Sequence, residues 1–268
     1  MKTLYESILS TNSVGLDNLI RNWLTEHHVF KDTNEYTIKN HIIYPNEHSH
    51  VFLFSCDEDY NELPEYIQFV DGPYKLHIGC CDYSGNQKIS TIKSFRGLPE
   101  NVRKIYIEFE GPIKTPELKI KTGEICIYSN GIFQPRNVLS IEYNDKYAEN
   151  SSRYDPQDIY VSGITKDMRK LSSKSKFKGF TKIEFDDFVG DKYPADMFFD
   201  IIDFDKHLNS VSPRVKVTLS SEEEKSLDVL LKSLGFVDVK EIINIGHPED
   251  DNFYELIKQN GTWKCGIY

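Results

Sequence analysis

Cysteine is sparse in this chain and poorly spaced for chemistry. The five are Cys56, Cys80, Cys81, Cys126 and Cys265, with no C-x-x-C pair among them. An odd number without that spacing argues against a compact metal knuckle and fits a reducing compartment. Long apolar runs are missing too. No stretch approaches the roughly 20 apolar residues that cross a bilayer as a helix. The opening MKTLYESILSTNS is broken by Glu6 and Ser7 and lacks the apolar block of a cleaved signal peptide. Positive charge is outweighed, with 32 Lys and Arg against 42 Asp and Glu and a net charge of -10, so general attraction to nucleic acid is not expected. G-x-G-x-x-G, the P-loop lysine motif, H-E-x-x-H and G-x-S-x-G are all absent, which removes the usual nucleotide, zinc-protease and serine-hydrolase signatures.

What the 268 residues do contain is aromatic and apolar side chains in short alternating runs, with 16 Phe and 16 Tyr. Aromatic enrichment favours strands over helices, and a chain of this length can bury a core without staples. Helical spacing occurs near the start, at Leu4, Ile8 and Leu9 and then at Leu16, Leu19, Ile20, Trp23 and Leu24, predicting two short helices. From Tyr36 the pattern changes to period two. YTIKNHIIY, HVFLF, KLHIGC, KIYIEF, LKIKTGEICIY and VLSIEY each read as a strand, with Gly and Pro marking the bends between them.

The stretch ISTIKSFRGLPENVRKIYIEF, residues 89–109, places Ile89, Ile92, Phe95 and Leu98 three apart, then Gly97 and Pro99, then Ile105 and Ile107 in alternation. It reads as a compact arc that turns into a strand. Ile92, Phe95, Gly97, Pro99, Ile105 and Ile107 are its expected core. Intervals between successive strands are unequal, so a short irregular stack and an ordinary antiparallel sheet both fit the periodicity.

Residues 144–160, NDKYAENSSRYDPQDIY, are polar and read as a linker or long loop. Past them, RVKVTL reads as a strand, and Ser220 or Ser221 with Glu223 or Glu224 supplies a capping box. Leu227, Leu230, Leu231 and Leu234 then form a helical stripe ending at Gly235. FVDVKEIINI reads as a return to the sheet and NFYELIKQNG as a further short helix. The expected fold class is α+β, with short N-terminal helices, a strand-rich centre and a C-terminal α/β lobe. The corresponding segments are a helical cap over 1–35, a β region over 36–143, the connection over 144–160 and an α/β region over 161–268.

Three constellations are candidates for chemistry. His41, His48 and His50 flank one turn and could share a metal, since imidazole is a good zinc donor. Asp200, Asp203 and Asp205 could hold a divalent ion; on a strand, however, Asp203 and Asp205 would share a face that Asp200 does not. Between Lys166 and Lys182 there are seven Lys or Arg against the single Asp167. There Lys174, Lys176 and Lys178, with Phe177 and Phe180, could meet nucleic acid by charge and stacking. The acidic run over 184–205, with eight Asp or Glu, opposes that contact. No catalytic residue and no cofactor is expected.

MKTLYESIL followed by NWLTEH resembles the opening of uncharacterised proteins of Bacteroides-infecting tailed phages, crAss-like and related. Those proteins often continue into an irregular leucine-rich-repeat-like region, in which an apolar-x-Ser-Leu-x-Gly-x-Pro phrase leads into a short strand. Here Ile92-Lys93-Ser94-Phe95-Arg96-Gly97-Leu98-Pro99 resembles that phrase, Leu63-Pro64-Glu65-Tyr66-Ile67-Gln68-Phe69 resembles the entry to it, and GPIKTPELKIK is a degraded second copy. The resemblance covers roughly residues 1–140 and carries no catalytic residue. It implies a leucine-rich-repeat-like centre and a non-enzymatic phage protein, either a virion component or a packaged accessory protein, working through contacts with phage structural or host proteins. The implied location is the virion or the bacterial host cytoplasm. The alternative expectation is an intracellular host-takeover or anti-defence protein, in its sharpest form a metal-dependent nuclease.

Overall fold

The computed structural model describes residues 13–53, 62–80, 94–109, 117–129, 139–148, 157–162, 176–185, 196–208, 215–246 and 252–267. The first element is helix α1 (Ser13–Glu26). It buries Leu16, Ile20, Trp23 and Leu24, the stripe its spacing requires. The expected helix before it lies outside the described residues.

Strands β1 (Tyr36–Lys39) and β2 (Ile42–Pro45) form a separate antiparallel hairpin. Its tight turn places Asn40 and His41 at φ 50° and 63°, as a type I′ hairpin turn demands. Among the described residues all other strands belong to one twelve-stranded sheet.

That sheet begins with β3 (His50–Leu53), β4 (Gly72–Cys80), β5 (Asn101–Phe109) and β6 (Leu118–Ser129), each parallel to the next and in chain order. Strand β6 then serves two neighbours. Residues 118–122 pair with β7 (Leu139–Tyr143), and residues 125–128 pair with β8 (Asp158–Ser162). Gly123 stands at the division, where a Cβ would come within 2.8 Å of Ala148 Cα. The close backbone crossing therefore needs a residue without a side chain.

The two branches continue in parallel. Strand β7 pairs with β9 (Lys176–Lys178), and β8 pairs with β10 (Lys182–Phe185). The short helix α2 (Phe204–Leu208), strand β11 (Val217–Thr218) and helix α3 (Ser221–Ser233) follow. Strand β12 (Glu241–Gly246) joins β10 in parallel, then β13 (Phe253–Gln259) and β14 (Thr262–Ile267) close the sheet antiparallel, with β11 outermost.

The architecture is thus α+β, with an N-terminal helix, a large irregular mixed sheet and a C-terminal helix and strand region. One local expectation changes. NFYELIKQNG is strand β13, not a helix: Tyr254 and Leu256 alternate inward, and Asn260-Gly261, at φ 53° and 84°, makes the two-residue hairpin turn into β14. Asp200, Asp203 and Asp205 do not lie on one strand, because helix α2 starts at Phe204. The stretch read as a linker ends inside β8, and the sheet is continuous across it.

Alternation along the strands fills the core with in-register rows. Val51, Leu76, Ile105, Ile125, Ile159, Ile183 and Ile242 form one row across seven parallel strands. Leu53, Ile78, Ile107, Ile127, Val161 and Phe185 form the next. All are buried, each contributing about 1.5–3 kcal/mol of apolar transfer.

Candidate functional site

The residue between the two core positions of each strand must point to the opposite face of the sheet. Its row reads Phe52, His77, Tyr106, Cys126, Tyr160 and Glu184, neighbours in register. At the β3 end it is a ring ladder. Phe52 and His77 lie 4.5 Å apart between centroids, and His77 and Tyr106 stack at 4.0 Å with 9° between planes.

One row closer to the strand starts, His50, Lys75, Lys104 and Glu124 are aligned. His50 Nδ1 lies 3.1 Å from His77 Nε2, one nitrogen donating and the other accepting. Lys104 is paired with Glu124, and its Nζ sits 4.7 Å above the Tyr106 ring. Farther across, Lys182 bridges Asp158 at 3.5 Å and Glu184 at 3.7 Å.

Electrostatics here disfavour proton transfer by the imidazoles at neutral pH. Burial, then the nearness of His50, Lys75, Lys104 and Lys31, pulls His77 down to about 3. An imidazole that weakly basic is a poor general base at neutral pH. His50 is lowered by burial, then chiefly by Lys75 and Lys31. Burial disfavours the Lys104 charge, yet Cys126 and Glu124 more than offset it and hold the ammonium protonated well above its usual range. Cys126 is 1% exposed. The second buried thiol, Cys265, is pushed up to about 11 by burial and then by Glu223, so it resists forming a thiolate.

The expected repeat core is placed as follows. Ile105 and Ile107 are fully buried, Pro99 is buried, and Phe95 packs half-buried against the core. Gly97 adopts φ +85° with its missing Cβ aimed at Ile67 O. Ile92 lies outside the described residues.

The three histidines go to different partners. His41 Nδ1 meets Asp17 Oδ1 at 2.9 Å, Arg103 donates to His48 Nδ1 at 3.3 Å, and His50 meets His77. Asp203 accepts the Lys206 amide at the start of α2, while Asp200 and Asp205 are exposed. Among the described residues no group of three or more His, Cys, Asp or Glu could hold a metal ion. Lys176 and Lys178 are exposed on β9, and Lys178 reaches Glu142 at 3.5 Å. Phe177 and Phe180 are fully buried, so neither is available to stack on a base. Lys174 lies outside the described residues.

The ring ladder was not anticipated from sequence, although a signal existed. Val51-Phe52-Leu53, Leu76-His77-Ile78, Ile105-Tyr106-Ile107, Ile125-Cys126-Ile127, Ile159-Tyr160-Val161 and Ile183-Glu184-Phe185 are six triplets with apolar flanks. Aligning them gives the register and brings the central residues together.

Comparison of the chain with known protein families, curated proteins and solved structures returns no match. No helix among the described residues is long and apolar enough to cross a membrane.

Proposed function

We propose that this chain is a non-enzymatic phage protein that acts through protein–protein contacts, using the ladder face of an irregular leucine-rich-repeat-like stack. The observation that carries the reading is the Phe52, His77 and Tyr106 ladder with Lys104 and Glu124 beside it. Half-buried aromatic rings flanked by charges on rigid strands are what a protein-binding surface uses.

Three features support the repeat-like reading. Strands β3 to β6 are stacked in chain order. A second line of backbone contacts runs beside them, from Ile43 to Phe69 and from the Phe69 amide to Gly97 O. Asp71 before β4, Asn101 on β5 and Asn144 after β7 are joined by side-chain hydrogen bonds. Repeat stacks present rigid surfaces to partners.

The phage setting, as a virion component or packaged accessory protein in the particle or the host cytoplasm, rests on the N-terminal and repeat phrases. The nuclease alternative gains no observation from Asp200, Asp203 or Asp205.

The test is cross-linking mass spectrometry of purified virions and infected cells, comparing wild type with Tyr106→Ala. The expected result is a partner cross-linked near the ladder and lost in the variant, with unfolding midpoints unchanged within a few degrees. Absence from particles overturns the virion assignment, and a partner retained by the variant overturns the ladder as the contact surface.

A further inference from the structure

The His50–His77 contact is built differently from the stacks around it. The nitrogens are 3.1 Å apart and the ring centroids 5.3 Å, so the separation is nearly the nitrogen distance plus two ring radii. The rings therefore meet edge to edge, close to the straight line an N–H···N bond prefers. The bond ties edge strand β3 to β4. Strand β3 in turn ties down the segment after α1, because the Phe52 amide donates to Val29 O at 2.9 Å.

We propose that this imidazole pair is an acid-operated latch, holding β3 to the sheet while both rings are neutral and releasing it when they take up protons. A first proton leaves the N–H···N bond in place, but adds positive charge to a site already faced by Lys31, Lys75, Arg103 and Lys104, which the Glu35 carboxylate offsets in part. A second proton removes the acceptor altogether, leaving two N–H groups opposed. Neutral rings fit the site because Phe52 and Tyr106 stack on His77 from both sides.

Detaching β3 takes away His50 and one of the two rings covering His77, so the opened form binds protons more readily. By linkage, the opened fraction rises as pH falls from about 6.5. The limit is about tenfold per pH unit for each imidazole exposed. The latch is independent of whether the ladder binds a partner.

The experiment is amide hydrogen exchange on the full chain from about pH 7 to about pH 5, corrected for intrinsic exchange. Protection at Val51, Phe52 and Leu53 is expected to fall at least about tenfold, while Leu256 and Cys265 in β13 and β14 keep theirs. In the His50→Gln/His77→Gln double variant, β3 is expected to lose its pH dependence. Unchanged β3 protection, an equal loss in β13 and β14, or pH dependence retained in the double variant would overturn the proposal. If the double variant does not fold, the wild-type imidazole C–H resonances decide. Titration of His50 and His77 near their ordinary value with β3 still protected rules the latch out; titration coincident with loss of β3 protection supports it.

Discussion

Asp71 and Asn101 are joined at two points, and Asp71 also holds the residue before Asn101. Asp71 Oδ1 accepts the amides of Glu100 and Asn101 at 2.9 and 3.0 Å, and Oδ2 accepts from Asn101 Nδ2 at 2.7 Å. Asn101 Oδ1 in turn accepts from Asn144 Nδ2 at 2.7 Å. One carboxylate thus ties the entrance of β4 to the entrance of β5 and, through Asn101, to the end of β7. Asp71→Ala leaves two backbone amides without their acceptor and is expected to cost about 2–3 kcal/mol. Asp71→Asn keeps an acceptor for the amides but sets an amide donor against Asn101 Nδ2, so it should fall between Ala and wild type. Urea unfolding midpoints of the three proteins check the order.

Gly97 and Ile105 test the arc and the strand it feeds. Gly97→Ala places a Cβ 2.3 Å from Ile67 O at φ +85°. Strain and clash together should exceed the roughly 1 kcal/mol cost of an ordinary Gly-to-Ala change at positive φ. Ile105→Asp buries an unpaired charge in the middle of an aliphatic row and should cost more than about 4 kcal/mol. A thermal melt of either variant that matches wild type contradicts the placement of these residues.

These positions also show what could be read before the fold was known. Period two fixed the strands because alternation is local. Ser220, Glu223 and Gly235 announced α3 because a cap is a contact over three residues, and both halves of the Ser220–Glu223 capping box form. NFYELIKQNG misled because Phe253, Leu256 and Ile257 also fit helical spacing; Asn260-Gly261 was the better guide. The ring ladder and the His50–His77 bond were hidden for another reason. The ladder's members are 25 and 29 residues apart in sequence and the two histidines 27, and nothing local states that Phe52, His77 and Tyr106 share a register. The unequal intervals between the triplets in sequence hid that shared register.

Glu223 gives acid stability its own signature. Burial would raise its carboxyl, but the Ser220 hydroxyl and amide, His207 and the Asp203 amide hold it at about 2. Its folded value is below the ordinary 4.5, so its stabilising contribution is present above pH 4.5 and is lost as pH falls toward about 2. Glu223→Gln should cost about 1–2 kcal/mol at neutral pH and flatten the stability profile in that acid window. The profile above pH 4.5, where the His50–His77 pair acts, should keep its slope. Chemical denaturation of wild type and variant across both windows separates the two.

Lys104 and Glu124 are the pair whose removal one side at a time should be most costly on the ladder face. The Lys104 side chain is 9% exposed and that of Glu124 18%, so each charge depends on the other. Lys104→Met leaves the Glu124 carboxylate half-buried without its cation and also removes the ammonium above Tyr106. A loss of about 3 kcal/mol is expected. Glu124→Leu strands the ammonium and should cost a similar amount. Combining the two restores apolar packing across β5 and β6, and the double variant is expected to recover most of the loss. A coupling energy of at least about 2 kcal/mol in the urea double-mutant cycle marks a desolvated pair. Additive losses would instead mean that the two side chains are solvated separately.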